Sequence, residues 1–457
     1  MTISNAGIRP ATATPVDAGL AGTAPLTFGQ LAAWRDASRL PRQRWHEANV
    51  FNTFTLPRPV PASSLSQAVT QLEAKHESLR TCYDLSDPLQ PRQRLLPART
   101  SVEVPVIGSV AAAEVARLIE QLIGQPFDLS RDRPMRVLAI TDNQASTIED
   151  GDPQVDRVLL CLHHIACDGW SIGLLWTDLL ALLGIEGEPL PVAPISLYAL
   201  AEQQRTASSW QQKVRASQRH FRAVYLSEVA DFRDRDADAG VLQVALESDE
   251  LARSVTMLAG QHQVSVATVF TAAFLEAVAR FCTAGPIRIG LMTSNRFLQR
   301  WQHQVSTMNQ LVPIVVAADP ATDFGARLAA TQLASMRAFR LGMFDVDAVT
   351  PAALDLAMQP GEVAPLCILN VVNGAITQYP LPVAGGAPQL HWEQAFNLTA
   401  ARCNLRVLRT QQDTVLLRLR TGGLPAETAA SILQGTYQRV IEGPSAEPAA
   451  LPAQLRG

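Results

Sequence analysis

The stretch VDRVLLCLHHIACDGWSIGLLWTDLL, residues 155–180, carries the pattern from which we predict the fold. Residues 155–162 are mostly apolar and rich in leucine and valine, which predicts a short buried strand. This strand runs directly into a pair of histidines. After Gly169 the apolar residues recur with helical periodicity, and Ser171 stands at the expected cap position. The pattern therefore predicts a strand-to-helix loop, where a rigid scaffold can present side chains to a ligand.

The histidines and the aspartate of this loop are the candidate chemical groups. Because side chains alternate along a strand, His163 and His164 are expected to point in opposite directions, so that one faces a reaction space while the other is buried. The ordinary pKa of histidine lies near working pH, which suits a general base. Asp168 would be costly to bury alone, and Arg296 is our candidate for its partner. Gly169 would permit a close backbone approach or an unusual dihedral angle.

Strand and helix patterns also occur on both sides of this loop. Strands are predicted at 49–56, 136–141, 155–162, 286–292, 311–317, 365–372, 401–408 and 414–419, with residues 142–153 as a hairpin connection. Helices are predicted at 65–79 with Ser63 or Ser64 as the cap, 171–180, 249–261 opened by Asp249 or Ser254, 265–281 capped by Ser265, and 427–441. The mixture in both halves predicts a layered α/β architecture without a short internal repeat.

The length of 457 residues exceeds that of one ordinary domain, so we expect two lobes of roughly 200 residues each. Residues 1–24 are rich in Ala, Thr, Gly and Pro and are interpreted as a disordered leader. The first lobe is predicted at 25–200 and the second at 242–457. Polar and charged residues dominate 201–241, which we interpret as a helix and linker.

Composition excludes several classes of partner. The formal net charge of -4 is not that of a protein that binds nucleic acid or an anionic membrane, because such binding needs concentrated Lys and Arg. No run of about 18 apolar residues and no secretion signal occur, so a cytoplasmic enzyme is the simplest interpretation. The six cysteines form no CxxC pair, which predicts reduced, buried thiols and no metal site.

The segment HHIACDGWS, taken alone, fits a structural histidine pair as well as a catalytic one. It also resembles the signature of the condensation-domain superfamily of nonribosomal peptide synthetases, which shares its fold with chloramphenicol acetyltransferase. Other segments resemble the family's motifs in the same order. They are Leu26–Trp34, Lys75–Thr81 (usually RHExLRT), Ile289–Arg296 with Asn295 in place of Gly, and Met308–Leu311, in which Gln310 and the displaced Pro313 depart from VNTLP.

The resemblance implies a fold and a site. The fold would be two chloramphenicol acetyltransferase-like lobes in a V-shaped pseudo-dimer with an interlobe tunnel. His164 matches the histidine regarded as the general base or as the group that orients the nucleophile, while His163, Asp168, Gly169 and Arg296 would support the site. Two residues leave alternatives open: Trp170 could be core or tunnel lining, and Asn309 could line the site or bond to backbone.

The resemblance also implies partners. The donor would be an acyl or aminoacyl thioester on the phosphopantetheine arm of an acyl- or peptidyl-carrier protein, and the acceptor a small molecule or a second carrier-bound group. The protein itself would bind no permanent cofactor and would be a monomer. Intact His163, His164 and Asp168 argue against heterocyclising members, which carry paired aspartates here. The chain shows neither a carrier-protein serine motif nor an adenylation signature, so a free-standing protein that meets its carrier in trans is expected.

The expected function is therefore condensation in natural-product biosynthesis, forming an amide or an ester bond. Two alternatives remain open. One is a CoA-dependent O-acyltransferase of the same superfamily, and the other is a non-catalytic module that docks on a synthetase and recruits another enzyme. The acceptor cannot be predicted from a local motif, because specificity depends on the geometry of residues spread over both lobes.

Overall fold

The computed structural model describes residues 22–108, 112–141, 151–193, 195–236, 238–319, 322–375, 388–393, 401–409 and 414–443. The chain forms two compact units. The first unit contains residues 1–207 together with 298–307, and the second contains 208–297 together with 308–457. Both units mix helices and strands, as the sequence pattern predicts.

The helices and strands follow one another along the whole described chain. The helices are α1 (Phe28–Ser38), α2 (Ala62–Lys75), α3 (Ala112–Ile123), α4 (Gly169–Leu182), α5 (Leu197–Thr206), α6 (Ser208–Tyr225), α7 (Asp249–His262), α8 (Val266–Ala279), α9 (Gln299–Gln302), α10 (Phe324–Phe339), α11 (Pro360–Val363) and α12 (Ala426–Glu442). The strands are β1 (Ala24–Pro25), β2 (Asn49–Pro61), β3 (Thr81–Asp84), β4 (Arg92–Leu95), β5 (Val106–Gly108), β6 (Met135–Thr141), β7 (Gln154–His163), β8 (Val241–Ser248), β9 (Ile287–Thr293), β10 (Gln310–Val316), β11 (Cys367–Ala375), β12 (His391–Glu393), β13 (Cys403–Arg409) and β14 (Val415–Gly422). Short 3-10 helices lie at Arg42–Ala48, Glu77–Arg80, Asp347–Val349 and Ala352–Leu354.

The two compact units differ from the predicted division of the chain in two places. The predicted linker at 201–241 contains the observed boundary after Ala207, but α6 within it belongs to the second unit, which therefore begins at Ser208. Residues 298–307 return to the first unit from within the predicted second lobe. Of the predicted leader, residues 1–21 lie outside the described part of the chain, and Ala24 already pairs with Gln93 in a strand.

A four-stranded sheet organises the first unit in the order β2-β7-β6-β5. The pairs β2–β7 and β6–β7 are antiparallel, which confirms the predicted pairing of the strands near 136–141 and 155–162, while β5 joins β6 in parallel. Leu160 of β7, Leu72 of α2 and Leu175 of α4 are fully buried in one core. Burial of apolar side chains on both helices and the sheet therefore holds the end of β7 in place.

The segment that resembles RHExLRT joins α2 to α4 through a buried carboxylate. Asp178 on α4 is fully buried, and its oxygens lie 2.6 Å from Lys75 Nζ and 2.8 Å from His76 Nε2. The backbone N–H of Leu190 donates to the same carboxylate at 2.9 Å. Burial raises the pKa of Asp178, but these hydrogen bonds outweigh burial and lower the pKa below its ordinary value. This part of the motif therefore has a packing role in the structure.

The helix caps show where the predicted boundaries were wrong. Asp168, and not Ser171, caps α4, because its side chain accepts from the backbone N–H of Ser171 one turn later. Pro61 precedes α2 in place of the predicted Ser63 or Ser64, and Leu79 falls outside α2. Ser248 caps α7 in place of Asp249 or Ser254, whereas the predicted cap Ser265 of α8 is confirmed.

The second unit contains a seven-stranded sheet in the order β10-β9-β11-β13-β14-β8-β12. The neighbours β9–β11 and β11–β13 are parallel, and the other described pairs are antiparallel. One face of this sheet belongs to the main core, in which Leu405, Leu417 and Val244 are fully buried together with residues of α7, α8 and α12. The opposite face carries polar side chains, among them Arg406, Arg418 and Arg420.

No single described helix is long and apolar enough to cross a bilayer. The helices α7 and α8 satisfy that test only as a pair, and they are bent by 102° at their junction. Most side chains of α8 are buried in the core of the second unit, which accounts for its apolar composition.

Candidate functional site

The loop between β7 and α4 holds both histidines and the aspartate of the sequence motif. It leaves the sheet at His163, turns through residues 164–166, and enters α4 at Gly169. The backbone N–H of His164 donates to the carbonyl oxygen of Ala48 at 2.8 Å, and the N–H of Ala166 donates to that of His163 at 3.0 Å. These bonds fix the backbone of the turn, so the directions of the two imidazole rings are set by the end of β7.

His163 is buried and electrically neutral. Its Nδ1 accepts the backbone N–H of Ile165 at 3.1 Å, so this nitrogen carries a lone pair and no proton. The ring meets Phe127 edge to face, with centroids 6.2 Å apart. Burial, with smaller contributions from the nearby charges of His164 and Arg136, lowers the pKa of His163 to about 3. A histidine with an engaged Nδ1 and so low a pKa is a structural group and a poor base.

This neutrality predicts a pH dependence of stability. In the unfolded chain His163 has its ordinary pKa of about 6.5. In the folded chain its pKa is about 3. Between these values the unfolded state binds more protons, so the free energy of unfolding falls as the pH is lowered. The contribution is about 1.4 kcal/mol per pH unit for one proton.

The comparison that isolates this contribution is with His163→Asn. An asparagine Oδ1 can accept the N–H of Ile165 but does not titrate. Urea unfolding at several pH values between 6.5 and 4 should give a shallower dependence for the variant than for the wild type. Parallel curves would contradict the neutral, buried state of His163.

His164 is half-buried, and its partner is a threonine far along the chain. The hydroxyl of Thr307 donates to the backbone carbonyl oxygen of His164, and its Oγ1 lies 3.4 Å from His164 Nδ1. Because the single hydroxyl proton is used on the carbonyl, Oγ1 can only accept from the ring. We therefore assign the proton of neutral His164 to Nδ1, which leaves Nε2 as the basic nitrogen.

Asp168 and Ser171 tie the start of α4 to the same distant segment. Asp168 Oδ1 accepts from the backbone N–H of Ser171 at 2.9 Å and lies 2.8 Å from its hydroxyl. The hydroxyl oxygen of Ser171 in turn accepts from the backbone N–H of Ser306 at 3.1 Å. Gly169 is the first residue of α4 and is not among the described glycines with positive φ, so of the two alternatives a close backbone approach stays a prediction.

Residues 302–307 therefore form a strap over the motif loop, and no local sequence pattern predicts it. In addition to the contacts of Ser306 and Thr307, the indole Nε1 of Trp170 donates to the carbonyl oxygen of Gln302 at 3.0 Å. Trp170 is half-exposed, and this bond fixes the direction of its indole ring. Thr307 and Ser306 could not be recognised as site residues from the sequence, because their contacts reach across 143 and 135 residues respectively.

The remaining predicted site residues lie in the second unit. Arg296 is buried, and its Nη1 donates to the carbonyl oxygen of Ser294 at 3.1 Å. Its pairing with Asp168, a residue of the first unit, stays a prediction. Asn309 is half-buried, and lining of a tunnel by this residue or by Trp170 also stays a prediction.

Asn295 has a structural reason for replacing the glycine of the family pattern. Its φ is 57°, in the left-handed region that Asn tolerates better than other non-Gly residues. Its side-chain Nδ2 donates to the carbonyl oxygens of Met308 at 2.6 Å and Gly342 at 2.8 Å. The amide thus fixes the loop before Arg296 to two other segments.

The other departure from the family pattern, Gln310, is also explained by the structure. Its Nε2 donates to the carbonyl oxygen of Phe344 at 2.8 Å, and its Oε1 accepts the N–H of Phe344 at 3.1 Å. A side-chain amide that pairs with both backbone groups of one residue is a purely structural arrangement. It anchors the start of β10.

Chemically, the first unit presents one half-buried imidazole with a fixed tautomer, beside a neutral histidine and a carboxylate that caps a helix.

The family model described as "Condensation domain" matches residues 22–351 of this chain, and this match decides the family. The chain belongs to the condensation-domain family.

The sequence relatives of this chain include much longer proteins. The chain is 33% identical over 194 residues to the phosphinothricin tripeptide synthetase PhsC of Streptomyces viridochromogenes, an alignment that covers 40% of this chain and 17% of that protein. The chain thus spans less than a fifth of the length of this relative.

Solved structures of condensation domains share the fold. One, described as the molecular basis for condensation domain-mediated chain release from the enacyloxin polyketide synthase, has a TM-score of 0.73 at 18% identity, covering 97% of this chain and 86% of that one. The X-domain in its complex with OxyB from teicoplanin biosynthesis has a TM-score of 0.66 at 18% identity, covering 93% and 94%. The predicted chloramphenicol acetyltransferase-like fold is confirmed, and the V-shaped arrangement stays a prediction.

Proposed function

We propose that this condensation-domain protein transfers an acyl or aminoacyl group from the phosphopantetheine thioester of a carrier protein to an amine or a hydroxyl. The observation that carries the proposal is the state of His164. Its ring is half-buried, its Nδ1 is oriented by Thr307, and its Nε2 is left as the basic nitrogen. A general base needs this combination of access and a defined tautomer.

In the proposed reaction, Nε2 of His164 takes the proton of the attacking amine or alcohol as its nitrogen or oxygen bonds to the thioester carbon. The tetrahedral intermediate then expels the pantetheine thiolate, which takes up a proton to give the thiol. His163 does not titrate in the working range, because its pKa is about 3. Its role is to hold the turn through Ile165.

Membership of the family supports the carrier-bound donor, since condensation domains act on substrates held by carrier proteins in peptide and polyketide synthetases. A natural-product pathway, a cytoplasmic location and a monomeric state belong to the same proposal. The protein would meet the carrier in trans, and the acceptor would be a small molecule or a second carrier-bound group.

The alternative is a recruitment module without catalysis, as suggested by the fold it shares with the X-domain that forms a complex with OxyB. Such a module does not need an oriented imidazole beside a neutral histidine, so the contact between His164 and Thr307 favours the enzyme. A CoA-dependent O-acyltransferase is the second alternative, and it requires the same base.

The three possibilities separate in one assay. The protein is incubated with an amine or alcohol acceptor and either an acyl-loaded carrier protein or the same acyl group on CoA, and product is followed by mass spectrometry. We expect kcat/KM to be at least about tenfold higher with the carrier protein, because its protein surface adds binding energy to the thioester. Higher activity with acyl-CoA would assign the second alternative, and no turnover of either donor over a panel of acceptors would favour the recruitment module.

A further inference from the structure

Three arginines project from one face of the seven-stranded sheet of the second unit. In the register of β13 and β14, Arg406 lies directly opposite Arg418, and Arg420 lies opposite Asn404. Side chains two residues apart on a strand share a face, so all three guanidinium groups belong to the face that is not part of the main core. Like charges opposite one another in a sheet destabilise it unless something neutralises them.

Two of the arginines have defined partners. Arg418 Nη2 donates to Glu393 Oε1 at 2.9 Å, and its Nε lies 2.6 Å from Glu393 Oε2. Arg420 donates from Nε at 3.1 Å and from Nη2 at 2.8 Å to Gln243 Oε1. The amide of Gln243 also donates to Glu393 Oε2 at 2.7 Å. One carboxylate, that of Glu393, and one amide, that of Gln243, therefore contact Arg418 and Arg420.

Arg406 lacks such a partner among the residues that the structure describes. Its Nε is buried and makes no hydrogen bond there, and the same holds for the neighbouring Asn404 Oδ1. The other described carboxylate of this face, that of Glu247, accepts the hydroxyl of Thr414. Burial, together with repulsion from Arg418 and Arg420, lowers the pKa of Arg406 to about 10. The group is thus a cation at neutral pH in a place that disfavours its charge.

The surroundings of Arg406 are apolar on one side. Leu408 on the same strand packs with Leu416 and Ala245, and all three are buried, with Val372 against them. In the register, Asn370 of β11 is the parallel neighbour of Arg406, so an amide is adjacent on the other side. A guanidinium beside an amide and an aliphatic surface is suited to an oxyanion that carries a short hydrocarbon chain.

We propose that Arg406 is the centre of a binding site for an organic oxyanion, a carboxylate or a phosphate ester, on the second face of this sheet. The anion neutralises the guanidinium of the trio for which neither a carboxylate nor an amide partner is described. Its hydrocarbon part packs beside the half-buried Val372, at the edge of the cluster of Leu408 and Leu416. The site does not depend on acyl transfer. It concerns binding of an anionic group by the second unit, whatever reaction the protein carries out.

Binding is measured by calorimetric titration of the full chain with four probes: phosphopantetheine, pantetheine, butanoate and butanamide. The site predicts binding of an anionic probe and not of its uncharged counterpart. Preference for phosphopantetheine identifies the phosphate of a carrier arm as the source, and preference for butanoate identifies a carboxylate substrate. Failure of both anions to bind more tightly than the neutral probes overturns the proposal.

Variants on one strand supply the matched test. Arg406→Gln should weaken binding of the preferred anion by about tenfold or more, since a charge-assisted hydrogen bond is lost, and Arg406→Lys should restore part of it. Arg409→Gln makes the same charge change on the opposite face of β13 and should bind like the wild type. Equal affinity of Arg406→Gln and wild type, or equal weakening by Arg409→Gln, overturns the proposal.

The melting temperature distinguishes a binding group from a structural one. Without ligand, Arg406→Gln removes repulsion from Arg418 and should melt at or above the wild-type temperature. With a saturating anion, the wild type should gain stability that the variant does not gain. A variant that melts well below the wild type and keeps its anion-induced shift would show that Arg406 is structural.

Discussion

Replacing His164 with alanine is expected to lower kcat for acyl transfer by about 10²–10⁴-fold, the range typical of removing a general base. The variant loses the only imidazole of the motif loop that is both half-exposed and free to act through Nε2. His163 cannot replace it, because its Nδ1 is engaged by Ile165 and its pKa is about 3. Product is measured by mass spectrometry under single-turnover conditions with an acyl-loaded carrier protein.

Two matched variants test whether the loss of kcat comes from the missing imidazole and not from a defect in folding. His163→Asn keeps the acceptor for the N–H of Ile165 and should retain most of kcat, whereas Thr307→Val removes the hydroxyl that orients His164 and should lower kcat by less than His164→Ala does. The circular dichroism spectra and melting temperatures of the three proteins should agree closely. Equal product from His164→Ala and wild type would remove the basis of the proposed function.

Replacing Asp178 with alanine is expected to lower the free energy of unfolding by about 3–5 kcal/mol, the cost typical of breaking a buried ion pair by removing one partner. The carboxylate is fully buried, and its loss leaves Lys75 and His76 without their common partner and the N–H of Leu190 without an acceptor. Because these contacts join α2 to α4, the damage extends to the helix that the motif loop enters. Urea unfolding monitored by tryptophan fluorescence gives the free energy.

Asp249 offers the control, since its ion pair with Arg253 is exposed on the surface of α7. Asp249→Asn should change the urea midpoint little, because exposed pairs are screened by solvent. The pKa of Asp178 is lowered in the folded state, so its contribution to stability is present above its ordinary pKa near 3.8 and is lost as the pH falls below that value. A midpoint for Asp178→Ala equal to that of Asp249→Asn would contradict the assigned role.

The local pattern of the sequence was sufficient to predict the strand-to-helix loop and the antiparallel pairing of β6 and β7. Both depend on apolar periodicity, which reports burial directly. Cap positions were less predictable, because several Ser and Asp residues near α2, α4 and α7 compete for one role. In α4 the residue chosen from the sequence, Ser171, is the group that the true cap, Asp168, bonds to. The predicted start of α4 is therefore wrong by one helical turn.

Only one part of the candidate site, the loop at 163–169, could be predicted from the sequence. The loop at 163–169 is continuous in sequence, and its burial pattern follows from strand alternation. The other part of the site is supplied by Ser306 and Thr307, whose neighbours in sequence show no periodicity or motif that points to His164. Asn295 is visible in the sequence as a departure from the family pattern, but its left-handed φ and its bonds to Met308 and Gly342 follow only from the folded structure.

The strap at 302–307 has a consequence for biosynthesis of the protein. A ribosome that has translated the chain as far as Ala207 has already made both histidines and Asp168, yet the hydroxyl that orients His164 is encoded 143 residues after it. At translation rates of about 5–20 residues per second, Thr307 is made roughly 7–29 seconds after His164. A gene fragment that stops at Ala207 would therefore yield a polypeptide with every residue of the motif but without an oriented base.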